Sequence, residues 1–174
     1  MNEMNETIKT ILSRRSIRKF QNVAVTQEEI NAILQAAFAA PSAKNQRGTE
    51  FVVIDERHTL DALADSLMYG KMLYQATLCI AVCANTKRDG EEFVLWEEDA
   101  SAAMENILLS AQALGLGSVW LGIMNREDRE SAVRAILRVP EKIRIVGLAA
   151  IGKPAEQKEP HSGINEAQVH KNSW

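Results

Sequence analysis

The sequence has few of the residues that mark metal-binding or membrane proteins. Only two of its 174 residues are cysteine, Cys79 and Cys83, and their C-x3-C spacing without a nearby histidine amounts to half a metal site. In a strand at 77–84 the two would share one face, so we expect both thiols to pack in the core. No apolar run reaches the length of a membrane span, and MNEMNETIKT at the N-terminus lacks the apolar core of a signal peptide. We therefore expect a cytoplasmic protein without a membrane segment.

Phosphate-binding glycine motifs are missing as well. The chain contains neither G-x-G-x-x-G nor G-x-x-x-x-G-K-[ST], and the glycines of GLGSVWLG at 115–122 follow a helix rather than a strand. The three histidines, His58, His161 and His170, lie far apart and form no ligand set. The common dinucleotide and nucleoside-triphosphate folds are therefore disfavoured, and we expect no metal site.

Positive charge is limited overall but concentrated near the N-terminus. With 20 Lys and Arg against 23 Asp and Glu, the formal net charge is −3, which argues against a nucleic-acid-binding protein. Residues 14–20 nevertheless read RRSIRKF. In an extended segment Arg14, Ser16, Arg18 and Phe20 share one side, which places a hydroxyl between two guanidinium groups. Such a side suits one small anion, and a solvated basic edge is the plain alternative.

Apolar periodicity predicts one domain in which helices and strands alternate. The chain is 46% hydrophobic and 25% charged, which are ordinary values for a globular domain. TQEE at 26–29 is a capping box that begins a helix, this helix must end before Pro41, and Asn125 is expected to cap a later one. Alternation alone would favour a parallel, doubly wound sheet. The predicted helices cover 8–12, 26–40, 57–68, 97–114 and 125–137, and the strands 50–55, 77–84, 118–123 and 143–152.

Two features suggest contact with a second subunit. The helix at 97–114 is apolar on two sides, which predicts burial either centrally or at a subunit interface, and Gly115 ends it. Beyond Pro154 the composition becomes polar and the chain ends in Trp174. This pattern is typical of an extended arm that docks on a partner.

Two further stretches have ambiguous chemistry. AAPSAKNQRGTEF at 39–51 gathers short hydrogen-bonding side chains between a helix and a strand, and loops of this composition usually only turn the chain. GLGSVWLG would let the backbone approach a flat ligand closely, although a helix cap followed by a core strand explains it equally well. Neither stretch indicates a function by itself.

Taken in order, RRSIRKF, APSAKNQ and GLGSVWLG resemble the nitroreductase family of FMN-dependent oxidoreductases, and the closing IGKPAEQKEP and VHKNSW are also similar. The resemblance implies an α+β fold in place of the parallel sheet. The fold would have a central mixed or antiparallel sheet flanked by helices, in an intertwined homodimer with two FMN sites at its interface. It implies an FMN-binding domain at 1–154 and a C-terminal arm at 155–174 that wraps the partner subunit.

The resemblance also implies roles for individual residues. Arg14, Arg15 and Ser16 match positions that hold the FMN phosphate and ribityl chain. Arg18 matches the cation beside the pyrimidine edge of the flavin, and Lys71 resembles a second ring-contacting cation. The backbone facing flavin N5 would be that of Trp120, Leu121 and Gly122. The loop brought over from the other subunit would contain Pro41, Ser42, Ala43, Asn45 and Gln46.

The sequence departs from the family pattern at two places. Where related tails supply Lys and Arg to the FMN phosphate, this chain has His161 and Gly163, so we expect a weaker basic clamp with His161 in it. Met68, expected on the same helical face as Lys71, replaces a polar ribityl contact. Both departures predict reduced FMN affinity.

The function implied by the resemblance is hydride transfer from NAD(P)H to flavin N5. Electrons then pass to a nitroaromatic, quinone or similar small-molecule acceptor in a second half-reaction, with no catalytic side chain required because the flavin carries the chemistry. Two alternatives stay open: FMN-dependent chemistry on one specific metabolite, and a flavin storage or sensing protein without useful turnover. Neither nucleic acid nor a membrane is an expected partner.

Overall fold

A computed structural model of the chain describes residues 5–88 and 90–174. Three short 3-10 helices lie at Ala43–Asn45, Lys71–Tyr74 and Glu166–Gln168. The other elements run in the order α1 (Glu6–Ser13), α2 (Gln27–Phe38), β1 (Thr49–Ile54), α3 (Arg57–Ser66), β2 (Leu78–Asn85), β3 (Lys87–Arg88), β4 (Glu91–Glu92), α4 (Trp96–Ala113), β5 (Gly117–Gly122), α5 (Glu127–Leu137) and β6 (Ile143–Gly152).

The main sheet is antiparallel throughout. Its four strands lie in the order β1-β2-β6-β5, and each neighbouring pair runs in opposite directions. A parallel sheet, which alternation alone predicted, is therefore wrong, because α3 and α5 each connect adjacent strands of opposite direction. The α+β fold implied by the resemblance is confirmed. The short β3–β4 hairpin forms a separate sheet, and the sequence reading did not anticipate it.

Each face of the sheet packs against its own pair of helices. One core cluster joins the sheet to α3 and α5, and a second joins it to α2 and α4. Strand β2 is buried on both faces: Cys79 and Cys83 belong to the first cluster, whereas Ile80 and Val82 belong to the second. The expected core packing of both thiols is confirmed. Burial raises the pKa of both thiols, that of Cys83 to about 12.

Local signals at the helix ends have mixed outcomes. The capping box is confirmed, because Glu29 N–H donates to Thr26 Oγ1 at 3.2 Å and Thr26 N–H donates to Glu29 Oε2 at 2.8 Å. Gly115, with φ of 72°, follows α4 as expected. The prediction that Asn125 caps α5 is wrong: Arg126 occupies the N-cap without a side-chain hydrogen bond, while Asn125 turns the chain with φ of 60°.

The basic segment at 14–20 lies between the edge of the sheet and the polar tail. Ser16 forms a parallel bridge with Ser118 of β5, one of the two edge strands of the sheet. On its other side the tail runs antiparallel: Ala155 N–H donates to the Lys19 carbonyl at 2.8 Å, and His161 N–H to the Leu12 carbonyl at 2.9 Å. The first part of the tail thus packs on its own chain.

The rest of the tail is exposed. Residues 162–174 include only exposed positions, and the indole of Trp174 is fully accessible, stacked on His170 with 4.3 Å between ring centres. Within the described ranges, no helix combines the length and apolarity needed to cross a bilayer. The division into a domain at 1–154 and an arm at 155–174 stays a prediction.

Candidate active site

A cavity of about 190 Å³ lies where the basic segment meets the edge of the sheet. Arg18 lines it together with residues 119–123 of β5 and the turn that follows, and with residues 67–69 and Met72 after α3. Most of this lining is apolar, so Arg18 supplies a permanent charge beside an apolar wall. A site with this composition suits a flat ligand that has one polar edge.

Strand β5 lines this cavity with Val119, Trp120, Leu121 and Gly122. The side chains of Val119 and Leu121 belong to the first core cluster, while the indole of Trp120 packs on the opposite face against the second. Because β5 is the edge strand, alternate N–H and C=O groups point away from the sheet. The outward carbonyl of Ser118 accepts a hydrogen bond from Ile17 N–H at 2.9 Å. The strand edge after Ser118 borders the cavity.

Arg18 is held in place through its backbone by the tail. Its N–H donates to Glu156 Oε1 at 2.6 Å, and Lys158 Nζ lies 3.5 Å from the same oxygen. The hydrogen bond from Arg18 lowers the pKa of Glu156 most, burial partly opposes this shift, and the charge of Lys158 lowers the pKa further. Lys158 Nζ also donates to the Ser16 carbonyl at 2.5 Å. Sequence reasoning missed both tail residues, because only their position in space connects them to RRSIRKF.

The other two arginines of the segment lie in different surroundings. Arg14 Nε is 3.4 Å from Glu105 Oε1 on α4. Arg15 donates to the carbonyl of Glu159 and lines a separate groove of about 400 Å³ between the segment and the tail. The structure thus does not gather Arg14, Arg15 and Arg18 into one cavity of the single chain.

The expected alternation along the segment fails at its end. Ile17 and Phe20, three residues apart, both belong to the first core cluster, so Phe20 does not continue the side of Arg18. The reason is that isolated bridges at Ser16 and Phe20, rather than a continuous ladder, hold the segment.

The loop at 41–46 lies away from the Arg18 cavity. Ala43 N–H donates to Asp99 Oδ1 at 2.8 Å, and Ser42 Oγ accepts from Arg47 N–H at 3.0 Å. Asn45 Oδ1 accepts from Arg47 Nε at 2.8 Å. Pro41 and Ser42 line a different cavity of about 280 Å³ beside α4. The expectation that this loop, Gln46 included, serves the partner's site stays a prediction.

The structure separates Lys71 from Met68. Helix α3 ends at Ser66, and Gly70 precedes a new 3-10 helix that begins at Lys71. The prediction that Met68 and Lys71 share one helical face is therefore wrong. Met68 lines the Arg18 cavity, whereas Lys71 is exposed, donates to the Ala64 carbonyl at 3.3 Å, and does not line it.

His161 lies at the far end of the tail contact. Its backbone N–H bonds to Leu12, but its side chain is exposed and lines neither the Arg18 cavity nor the groove at Arg15. In the described part of the chain, no cluster of three or more His, Cys, Asp or Glu side chains could hold a metal ion.

Comparison with known proteins assigns the chain to a family. The model of the nitroreductase family matches residues 11–70 and 63–153. The chain belongs to the nitroreductase family. A relative from Archaeoglobus fulgidus, provisionally named NADH dehydrogenase/NAD(P)H nitroreductase, is 39% identical over 174 residues, which cover 98% of this chain and 100% of the relative.

Solved structures of nitroreductases have the same fold. An FMN-dependent nitroreductase from Clostridium difficile R20291 matches with a TM-score of 0.88 and 35% identity, over 96% of this chain and 99% of that one. A provisionally named nitroreductase from Desulfovibrio desulfuricans, in complex with FMN, matches with a TM-score of 0.86 and 28% identity, over 99% of both chains.

This nitroreductase has one further cavity residue that the sequence did not reveal. Arg129, on α5, lines the cavity with Arg18, and its Nη1 donates to the Gly122 carbonyl at 3.2 Å. On sequence alone Arg129 is one of several charged residues in a polar helix, and no motif distinguishes it.

Proposed function

We propose that this nitroreductase is an FMN-dependent oxidoreductase that takes hydride from NAD(P)H and passes electrons to nitroaromatic, quinone or similar acceptors. The observation that carries the proposal is the cavity between Arg18 and the backbone edge of β5. The FMN-dependent relative and the relative with bound FMN support the choice of cofactor.

The residues around the cavity fit a flavin ring. Leu67 and Met72 would offer apolar contact to a flat ring, and the edge of β5 would offer it backbone hydrogen bonds. Arg18 would lie at the polar pyrimidine edge, and the outward backbone groups of the segment Trp120, Leu121 and Gly122 would face N5. When bound, FMN supplies the hydride acceptor of one half-reaction and the electron donor of the other.

Arg18 and the strand edge have distinct tasks in this function. The fixed charge of Arg18 stabilises the negative charge that develops at the pyrimidine edge on reduction and so favours reduction. Backbone N–H groups of β5 orient the ring without introducing a competing acid. No side chain is needed to move a proton or to attack the substrate.

The phosphate end is assigned to the start of the basic segment. Arg14, Arg15 and Ser16 would hold the phosphate and ribityl chain, and His161 would be a weak tail contact. Lys158, whose Nζ lies against the Ser16 carbonyl, keeps one cation of the tail beside this segment. The tail thus retains a cation there, paired with Glu156, despite the departures at His161 and Gly163.

We also infer that the active form is an intertwined homodimer. Ile8 and Ile11 on α1 are 49% and 45% exposed, and Ile11 lines a surface groove with Leu109 and Ala113 of α4. A second copy would cover this apolar surface. In the dimer the loop at 41–46 would complete the partner's site, and the arm would wrap the partner.

A flavin-reduction experiment tests the proposal. The purified protein is expected to carry FMN, identified chromatographically after heat release, and to bleach anaerobically with NADH or NADPH. Adding a nitroaromatic or quinone should restore the yellow colour. A protein that stays yellow with both donors would be a storage or sensing protein, and one that neither contains nor binds FMN would refute the proposal. If a metabolite panel shows reoxidation by one compound alone, the narrower metabolite-specific function applies.

A further inference from the structure

A second cation, Arg129, lines the Arg18 cavity, and the proposed function assigns no role to it. Arg129 lies in the first turn of α5 and is half-buried at the cavity. Two contacts hold its guanidinium there. Nη1 donates to the Gly122 carbonyl, and Cζ lies 5.9 Å from the centre of the Tyr69 ring. Tyr69 and Met68 beside it are 68% and 78% exposed, so this side of the cavity is open to solvent.

The charge of Arg129 is not neutralised locally. The lining of the cavity includes no carboxylate, and within the described ranges none lies within 4 Å of the Arg129 guanidinium. Its neighbour Glu130 points elsewhere, to Arg134 and Arg144 at 2.9 Å each. Since a guanidinium has five N–H donors and Arg129 uses one on Gly122, donors are left for a ligand.

We propose that Arg129 binds a carboxylate group of the electron acceptor and thereby favours anionic over neutral acceptors. The guanidinium matches a carboxylate in shape and charge, while the exposed Met68 offers apolar contact to a flat aromatic body. Arg129 takes no part in electron transfer. It determines acceptor specificity, and this role rests on the proposed function because the acceptor belongs to its second half-reaction.

The test separates the two half-reactions of the holoenzyme. The enzyme is first reduced without oxygen by one equivalent of NADH or NADPH, whichever bleaches the flavin, and then mixed with 4-nitrobenzoate or with neutral 4-nitrobenzyl alcohol. For Arg129→Met, we expect the second-order rate constant of reoxidation by 4-nitrobenzoate to fall about tenfold, the scale of one charge-assisted hydrogen bond. Reoxidation by the alcohol and reduction by NADH should change less than about twofold.

Matched variants separate a local contact from a general charge effect. Arg129→Lys keeps the charge and should recover part of the preference for 4-nitrobenzoate. Arg126→Met removes an exposed cation three residues earlier, outside the cavity lining, and should leave the preference unchanged. Arg129→Gln repeats the test if the Met variant melts early.

Three results would overturn the inference. The first is an equal loss of rate with both acceptors, and the second is an unchanged preference in Arg129→Met. The third is a loss confined to reduction by NADH, which would assign the bound anion to the donor. Failure of the proposed function is distinct, because the wild-type flavin would then bleach with neither NADH nor NADPH before any acceptor is added.

Discussion

The indole of Trp120 lies against the α-carbon of Gly147 on the neighbouring strand. A Cβ built at Gly147 would fall 2.2 Å from Trp120 Nε1 and 2.9 Å from Cδ1. Only glycine therefore allows the indole to pack there, and this packing fixes the strand whose edge lines the cavity.

Gly147→Ala should displace the indole and shift the edge of β5. We expect a loss of stability of about 1–3 kcal/mol, the range for overpacking, together with weaker FMN retention. Gly122→Ala is the matched control for stability, because a Cβ at Gly122 meets nothing within 4 Å. Denaturant unfolding of both variants checks this. Equal stability of the Gly147 variant and the wild type would show that the indole can move without cost.

Arg18→Met should change the redox chemistry more than the retention of FMN. Without the cation beside the ring, the midpoint potential should fall, and reduction by NAD(P)H should slow about tenfold or more. Lys19→Met is the control, because Lys19 is the neighbouring exposed cation and does not line the cavity. Potentiometry of the bound flavin measures the shift. A midpoint potential that is unchanged or higher in Arg18→Met would show that Arg18 does not lie beside the flavin ring.

Glu130 joins α5 to β6 through a buried carboxylate. It accepts hydrogen bonds from Arg134 and Arg144 at 2.9 Å and from Ile145 N–H at 3.2 Å. Burial by itself would raise the pKa of Glu130, but the bonds from Arg144 and Ile145 and the charges of both arginines lower it below its usual value.

The lowered pKa gives the stability a definite pH dependence. The contribution of ionised Glu130 is fully present above its unfolded pKa of about 4.3 and is lost as the pH falls through the lower folded value. Glu130→Gln should therefore cost about 1.5–3 kcal/mol at pH 7 and progressively less below pH of about 4. Urea unfolding at several pH values measures this. If the stability difference between wild type and Glu130→Gln grew as the pH falls, ionised Glu130 would not be the stabilising form.

Two truncations separate the functions of the tail. Removing 162–174 keeps the contacts of residues 155–161 with the basic segment but deletes the exposed end of the arm, which includes Trp174. We expect this shorter deletion to weaken the dimer, and the deletion of 155–174 to lower thermal stability and FMN retention as well. Sedimentation equilibrium and melting with and without FMN check this. A dimer as tight as that of the full chain after the shorter deletion would exclude the wrapping arm.

Features that depend on near neighbours were predicted from the sequence. The Thr26–Glu29 capping box, the end of α4 at Gly115 and the shared face of the two cysteines each involve residues only a few positions apart. The backbone geometry of a helix or strand places such residues without reference to the rest of the chain. The exception, Asn125, shows that a good capping residue can instead turn the chain with positive φ.

The ordered motifs correctly predicted the family and the α+β fold. The alternation of helices and strands wrongly predicted a parallel sheet. Alternation constrains which elements follow one another but not the direction in which a strand returns to the sheet. That direction depends on how each helix packs on the sheet, which is a long-range property.

The site itself combines both kinds of information. The sequence by itself determined that a basic segment, a polar loop and a glycine-flanked strand exist and in which order they follow along the chain. Only the tertiary structure decided that Arg18 enters a cavity while Arg14 and Arg15 face other partners, that Glu156 and Lys158 hold the segment, and that Arg129 lies beside Tyr69. The physical reason is that these contacts join residues far apart in the chain. Such contacts form only when the sheet edge, the tail and α5 pack together.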